Sequence, residues 1–221
     1  HLGLSIDETF CFDAFADRVA EVIDKTVNVD RLLELCTVEF SGEQAEDVVC
    51  SGNRKIAIAR DEAFNFMYRE NVEALKRAGE VVFFSPLRDK SLPEADMVYF
   101  PGGYPELHLA ELAANEGMRQ SVQKYCENGG RVLAECGGMM YLCDTITDGD
   151  GKVYPMAGVL KQGATMEQMK LKLGYREVRV NGQRIRGHEF HYSRILPGHE
   201  KIPVIGTIYN AKDMVVDTPE Y

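Results

Sequence analysis

Short apolar runs alternate with amphipathic stretches through the middle of the chain. Four runs rich in β-branched and aromatic residues follow one another: KIAIA (55–59), EVVFF (80–84), MVYF (97–100) and RVLA (131–134). The stretches before the second and fourth runs have apolar residues at helical spacing and end in glycine. Continuous apolar runs are typical of parallel strands buried on both faces, and their alternation with helices indicates βαβ units. The pattern predicts an α/β domain with a mainly parallel sheet flanked by helices.

The pattern differs on either side of this region. Before residue 40, apolar residues recur at helical spacing among acidic ones, and residues 40–53 are polar and typical of a linker. After about residue 150, YREVRV and RIRGHEFHYSRI flank an Asn-Gly pair that suits a type I′ turn, which predicts a hairpin. We therefore expect a helical segment at 1–53 and the α/β domain at 54–221.

Charge and cysteine content narrow the choice of partners. The 221 residues carry a formal net charge of −10, so a phosphate backbone would be repelled and no nucleic-acid partner is expected. No apolar run approaches the ~18–20 residues that cross a bilayer, and no secretory signal opens the sequence, so no membrane partner is expected. The six cysteines form no C-x-x-C pair, which disfavours a zinc site. We expect reduced thiols, no metal and a cytoplasmic location.

Two glycine-containing motifs follow predicted strands, at the sheet edge where ligands bind in parallel α/β folds. Pro101-Gly102-Gly103-Tyr104 comes directly after MVYF. Adjacent glycines allow a sharp backbone turn that presents an N–H group to a cleft, as an oxyanion hole requires. The same motif is also consistent with a plain turn that ends a strand.

Cys136 lies in the second motif, AECGG (134–138). A nucleophile on a tight strand-to-helix turn needs small residues on both sides, and Ala134 and Gly138 meet that need. A helix that begins near Gly137 would favour the thiolate, and the Gly137 N–H could stabilise an oxyanion. From spacing alone, a structural cysteine is equally consistent with the pattern.

A cysteine nucleophile usually needs a histidine as its base. His188 and His191 lie in GHEFHYS, and in a strand their spacing places them on opposite faces, so at most one can face the cleft. Either is also consistent with a structural, hydrogen-bonded histidine. Residues 60–66 follow the first predicted strand, where they could line a substrate or partner surface or form the capped start of a helix.

Several stretches together closely resemble one family, the glutamine amidotransferase domain of cobyrinate a,c-diamide synthases. The enzymes that amidate nickel-sirohydrochlorin are similar at this level. The matching stretches occur in the family's order and span nearly the whole chain: HLGL (1–4), ARDEAFNFMYRENVEALKRAGEVVFFSPL (59–87), LPEADMVYFPGGYPE (92–106), AECGGMMYL (134–142) and GHEFHYSR (187–194).

The resemblance implies a flavodoxin-like domain that hydrolyses glutamine. Cys136 matches the family's nucleophile, and Gly103 and Gly137 would serve the oxyanion or the substrate. The ammonia would pass to an ATP-dependent ligase domain, which amidates the a and c carboxylates of a corrinoid or tetrapyrrole precursor. No cofactor is implied for the glutaminase domain itself, whereas Mg-ATP is implied for the ligase domain.

The sequence departs from the family pattern at two places. It has no phosphate-binding G-x-x-x-x-G-K-[ST] motif, so residues 1–53 are expected to connect to a ligase domain that lies upstream. It also lacks the Tyr-x-His-x-His segment that carries the family's activating histidine, so the domain is expected to be truncated at its C-terminus. His191 is therefore a candidate for a supporting group or for the base.

Two other functions fit the same features. A non-catalytic binding or regulatory module would explain the missing histidine segment, and a stand-alone cysteine hydrolase would explain a cysteine on a tight strand-to-helix turn. HLGL and the acidic helical segment argue against the hydrolase, because they resemble a connection to another domain. Labelling with a glutamine-mimicking electrophile separates the first alternative from a glutaminase, because an inactive module leaves Cys136 unmodified.

Overall fold

The structure is a computed structural model that describes residues 12–38, 53–198 and 202–216. The contacts between Cα atoms divide the chain into two compact units, residues 1–48 and residues 49–221. HLGL, most of the predicted linker and His199 lie outside the described residues.

The described part of the first unit consists of two helices, α1 (Phe12–Thr26) and α2 (Val29–Cys36). Asn28 caps α2, since its side-chain oxygen accepts a hydrogen bond from the Arg31 N–H at 2.9 Å. Within these two helices no residue is buried, and apolar side chains such as Leu35 are exposed. Within residues 12–38 the prediction of a helical N-terminal segment is confirmed, and its role as a connector stays a prediction.

The second unit begins with a parallel sheet flanked by helices, as predicted. Its strands are β1 (Lys55–Ala59), β2 (Glu80–Phe84), β3 (Met97–Phe100) and β4 (Arg131–Ala134), in the order β2-β1-β3-β4. The helices are α3 (Arg69–Ala78), α4 (Leu109–Ala114), α5 (Glu116–Glu127) and α6 (Gly137–Leu142), with a 3₁₀ turn at Pro105–Leu107. The strand order reverses between β1 and β3, which places a crevice beyond their carboxyl ends.

Seven further strands in the described residues form two smaller sheets. They are β5 (Cys143–Thr147), β6 (Val153–Pro155), β7 (Leu160–Thr165), β8 (Lys172–Val180), β9 (Gln183–His191), β10 (Arg194–Leu196) and β11 (Thr207–Asn210). The sheet orders are β10-β7-β5-β6 and β11-β8-β9. The predicted hairpin is confirmed, because β8 and β9 pair in antiparallel register across Asn181 and Gly182, which both have positive φ.

Aromatic rings fill the core below the crevice. Phe64, Phe100 and Tyr141 are fully buried, and their rings meet at centroid distances of 5.5–6.0 Å. Such offset and edge contacts add to the burial of apolar surface. The loop after β1, the end of β3 and α6 are therefore packed together by one aromatic cluster.

A buried carboxylate organises the loops above this cluster. One oxygen of Asp61 accepts hydrogen bonds from the backbone N–H groups of Ala63 and Phe64 at 3.0 and 3.2 Å. Its other oxygen accepts from the Ser85 hydroxyl and the Leu87 N–H at 2.8 and 2.9 Å. Asp61 thus joins the loop after β1 to the loop after β2. It does not cap a helix, because α3 begins only at Arg69.

In the described ranges, no helix combines the length and the apolar character that crossing a bilayer requires. In the same ranges, no three His, Cys, Asp or Glu side chains are grouped closely enough to hold a metal ion.

We predict that Asp61→Asn lowers the free energy of unfolding by about 2–4 kcal/mol, because the new amide group turns a donor toward N–H and O–H donors that need an acceptor. Urea unfolding at neutral pH measures the change. Asp150→Asn, in an exposed loop, is the matched control and should stay within ~0.5 kcal/mol of the parent. Equal stability of the two variants would contradict the prediction.

Candidate active site

Cys136 lies on a strained turn between β4 and α6. Its backbone has φ 50° and ψ −111°, a conformation that residues other than glycine rarely adopt. Three hydrogen bonds hold the turn: Glu135 N–H to the Phe100 carbonyl at 3.0 Å, Gly138 N–H to the Glu135 carbonyl at 2.8 Å, and Met140 N–H to the Cys136 carbonyl at 3.1 Å. Backbone strain persists only where the surroundings enforce it, and it concentrates at functional sites.

The glycines after Cys136 allow an unusually close approach of backbone segments. A Cβ atom on Gly138 would lie 2.2 Å from the Phe100 carbonyl oxygen, and one on Gly137 would lie 2.7 Å from Cδ of Pro105. Neither distance is compatible with a side chain. The AECGG pattern is therefore explained by packing of the turn against β3 and against the 3₁₀ turn.

The loop after β3 is joined to the loop after β1. The Tyr104 N–H donates to the Ala63 carbonyl at 2.9 Å, and the Phe66 N–H donates to the Gly102 carbonyl at 3.0 Å. A Cβ atom on Gly103 would lie 2.1 Å from the Ala63 oxygen, which excludes a side chain there.

The structure brings the two predicted oxyanion glycines together. A Cβ atom on Gly137 would lie 3.1 Å from the carbonyl oxygen of Gly103, so the two backbones are neighbours at the turn that carries Cys136. Their role in stabilising an oxyanion stays a prediction.

The surroundings of Cys136 favour the protonated thiol. The residue is open to solvent, yet partial desolvation by neighbouring protein is the largest influence and raises the pKa of its thiol. A hydrogen bond from the Gly137 N–H acts in the opposite direction, and the carboxylates of Glu106 and Glu135 raise the pKa further. The N–H at the helix start therefore acts in the predicted direction, but burial and the two carboxylates outweigh it. α6 is only one and a half turns long, and its first N–H is outweighed.

His191 is held by groups on its own strand and just beyond it. Its Nε2 lies 2.8 Å from a Glu189 carboxylate oxygen, and its Nδ1 lies 2.9 Å from the Ser193 carbonyl oxygen. Both ring nitrogens are therefore engaged by oxygen atoms within the hairpin end and the residues after it. Within the described residues, Cys136 forms no hydrogen bond with a histidine.

His188 lies on the opposite face of β9, as its spacing predicted. Its ring is exposed and stands 6.3 Å from that of Tyr68, which follows the loop after β1. Phe66 contacts Tyr68 in turn and pairs with Gly102. One face of the hairpin therefore meets the loops at the sheet edge through an aromatic contact, while His191 is directed to the other face.

Glu189 is the centre of a buried ionic group. It accepts hydrogen bonds from His191 and from Nε of Arg176, the latter at 2.6 Å. Burial raises the pKa of its carboxyl, but the hydrogen bonds and charges of His191 and Arg176 outweigh that effect and leave the pKa below its ordinary value.

Two carboxylates beside the nucleophile were missed by sequence reasoning. Glu135 accepts a hydrogen bond of 2.5 Å from the buried Tyr99 hydroxyl, and burial together with this contact raises the pKa of Tyr99. Glu106 is half-buried on the 3₁₀ turn that packs against Gly137. Their positions in the chain, directly before Cys136 and three residues after Gly103, were the available signal.

Comparison with solved structures places the fold. A chain in the structure of PurLQS from Thermotoga maritima superposes with a TM-score of 0.50 at 19% identity, covering 74% of this chain and 77% of that one. At this identity the likeness concerns the fold alone.

Comparison with characterised proteins gives closer relatives. Cobyrinate a,c-diamide synthase of Salmonella typhimurium is 39% identical over 211 residues, covering 89% of this chain and 46% of that protein. Hydrogenobyrinate a,c-diamide synthase of Pseudomonas aeruginosa is 39% identical over 197 residues, covering 88% of this chain and 45% of that protein. The chain thus spans a little less than half the length of these relatives.

The sequence pattern of one protein family matches most of the chain. The CobB/CobQ-like glutamine amidotransferase domain matches residues 55–218, which include the parallel sheet, the turn at Cys136 and the hairpin. Together with the relatives, this match shows that the chain belongs to the CobB/CobQ-like glutamine amidotransferase family.

Proposed function

We propose that this domain hydrolyses glutamine with Cys136 as nucleophile, and that the ammonia serves the ATP-dependent amidation of the a and c carboxylates of a corrinoid or tetrapyrrole precursor. The observation that carries the first part is the strained backbone of Cys136 at the carboxyl edge of the sheet, beside the Gly103 loop. Family membership supports the reaction type.

The proposed reaction proceeds in two steps. The Cys136 thiolate attacks the side-chain amide carbon of glutamine, a C–S bond forms, and the carbonyl oxygen takes the electron pair as an oxyanion. The backbone N–H groups of Gly103 and Gly137 would stabilise that oxyanion. The C–N bond then breaks and ammonia leaves after it has gained a proton. Water hydrolyses the resulting γ-glutamyl thioester, which yields glutamate and regenerates the thiol.

The proposal requires a base, because the pKa of the Cys136 thiol is raised. The resemblance assigns this role to the histidine of a Tyr-x-His-x-His segment. We assign His191 a supporting role, since both of its ring nitrogens are engaged by Glu189 and Ser193. In that role it fixes the end of β9 next to the start of β10.

The names of the relatives support amidation as the use of the ammonia. Those compared above are named for a,c-diamide synthesis on cobyrinate or hydrogenobyrinate. In this proposal the domain delivers ammonia to a ligase domain, and that domain binds the macrocycle and Mg-ATP. A cytoplasmic location agrees with the free thiols of the four cysteines in the described residues, namely Cys36, Cys126, Cys136 and Cys143.

A second candidate function is a non-catalytic module on the same scaffold. The raised pKa of the thiol and the engagement of His191 elsewhere favour it. Covalent labelling separates the two functions, since a glutamine-mimicking electrophile reacts only with an activated cysteine in a glutamine site.

We predict that Cys136→Ser abolishes ammonia release from glutamine in the full-length natural protein, with a loss of at least ~10³-fold, because the hydroxyl is a far weaker nucleophile at neutral pH. A coupled glutamate assay and mass mapping of the 6-diazo-5-oxonorleucine adduct measure the change. Cys36→Ser is the matched control, since that thiol is also exposed. An adduct at Cys36 instead of Cys136, or full activity in Cys136→Ser, would disprove the assignment.

We predict that Glu189→Gln destabilises the domain by about 1–3 kcal/mol at pH 7 and that the difference shrinks in acid. The folded-state pKa of Glu189 lies below its ordinary value of 4.5, so the stabilisation is present above that pH and is lost as the pH falls through the folded-state pKa. Urea unfolding from pH 7 to pH 3 measures both effects. Glu94→Gln is the control, since its side chain is 92% exposed. A difference that stays constant over this range would contradict the prediction.

A further inference from the structure

Glu106 lies next to the nucleophile through backbone packing. It belongs to the 3₁₀ turn Pro105–Leu107, which is closed by the hydrogen bonds Leu107 N–H to Tyr104 carbonyl and His108 N–H to Pro105 carbonyl, both 3.0 Å. Pro105 packs against Gly137 so closely that no side chain fits between them. The turn that carries Glu106 and the turn that carries Cys136 are thus in direct contact.

The two carboxylates beside Cys136 differ in their surroundings. Glu135 is tied to the hydroxyl of Tyr99 at 2.5 Å. Glu106 is half-buried; burial is the largest influence on its carboxyl and raises its pKa, while a hydrogen bond from its own backbone N–H and then the charge of His108 act in the opposite direction. Glu106 also raises the pKa values of Cys136 and of Tyr104. A partly desolvated negative charge therefore lies within electrostatic reach of the reacting sulfur.

Glutamine carries one positive group, its α-ammonium, which two methylene groups and the α-carbon separate from the reacting amide carbon. A substrate whose amide meets Cys136 must place this ammonium elsewhere in the same crevice. A desolvated carboxylate is the side chain that binds an ammonium most strongly, because charge-assisted hydrogen bonds are about twice as strong as neutral ones.

We infer that the Glu106 carboxylate binds the α-ammonium of glutamine and thereby couples substrate binding to ionisation of the Cys136 thiol. The inference rests on the proposed glutaminase function. Before substrate binds, the negative charge of Glu106 disfavours a second negative charge on the sulfur. The bound ammonium compensates that charge, so the thiolate forms more readily once glutamine is in place.

Through this coupling, the site would recognise a substrate by its α-ammonium group. An amide without an α-ammonium would reach Cys136 but would neither bind Glu106 nor relieve the repulsion on the sulfur. Glutaramate, which is glutamine without the amino group, is the matched probe. The inference predicts that discrimination between the two amides resides in Glu106.

The first test compares both amides in the full-length natural protein and in its Glu106→Gln variant, which keeps the size of the side chain. We expect kcat/KM for glutamine to fall ~10–100-fold, the range for removing one partner of a charge-assisted hydrogen bond. kcat/KM for glutaramate should stay unchanged or rise. Glu111→Gln, an exposed glutamate on α4, is the control and should leave both values unchanged.

The second test measures the rate of Cys136 alkylation by iodoacetamide against pH, without substrate. Among the described residues, the titratable side chains linked electrostatically to the sulfur are Glu106, Glu135 and Tyr104; His108 acts on Glu106, and Tyr99 is hydrogen-bonded to Glu135. Glu106→Gln should shift the midpoint to lower pH, because it removes one negative neighbour. A purely structural role of Glu106 would not produce that shift.

The outcomes separate the inference from the proposed function. The inference is overturned if the parent protein hydrolyses glutamine and the Glu106→Gln variant still prefers glutamine over glutaramate to the same degree. It is also overturned if the variant loses activity toward both amides equally. Either result leaves the proposed glutaminase function intact. An unchanged alkylation midpoint overturns the coupling. A parent protein that hydrolyses neither amide overturns the proposed function itself.

Discussion

The buried carboxylate of Asp61 holds together the loops from which the site is built. Its four donors come from the loops after β1 and β2, so two segments that are distant in sequence share one acceptor group. Ala63, which Asp61 fixes, offers its carbonyl to Tyr104 and lies against Gly103. The loop after β3 is therefore placed by a chain of contacts that begins at Asp61. A buried carboxylate that accepts hydrogen bonds from all of these donors is a strong local constraint, because a buried donor without an acceptor costs free energy of folding.

The second constraint is the absence of side chains where backbones meet. Gly138 lies against the Phe100 carbonyl, and Gly137 lies against Pro105. These contacts force Cys136 into its unusual conformation and present its thiol at the sheet edge. Strain at one residue is sustained by good packing at its neighbours, which is why the aromatic cluster of Phe64, Phe100 and Tyr141 directly underlies the turn.

The sequence predicted what depends on local pattern. Four apolar runs became four parallel strands, the Asn-Gly pair became a hairpin turn, and small residues around Cys136 predicted a tight strand-to-helix connection. Features that depend on contacts between distant segments were not predictable in this way. The four donors of Asp61 come from residues 63, 64, 85 and 87, and no pattern in the sequence links the two groups.

The net electrostatic effect on Cys136 was beyond sequence reasoning for a related reason. The start of a helix is a recognisable signal, but its effect on a thiol depends on the helix length and on the charges nearby. Here α6 has six residues, and two carboxylates from different segments oppose its first N–H. Similarly, GHEFHYS identified His191 as chemically interesting, but only the structure showed that Glu189 and Ser193 engage both of its nitrogens.

These electrostatics have a consequence for a nucleophile that must stay intact between turnovers. A thiolate open to solvent is prone to oxidation and alkylation, whereas a thiol is much less reactive. Partial desolvation and the charges of Glu106 and Glu135 raise the pKa of the Cys136 thiol and so favour its protonated form, and the exposed position of Cys136 leaves it accessible to an incoming amide. An arrangement that disfavours the thiolate in the free domain is therefore compatible with a glutaminase, provided that substrate or a further base shifts the balance when ammonia is to be released.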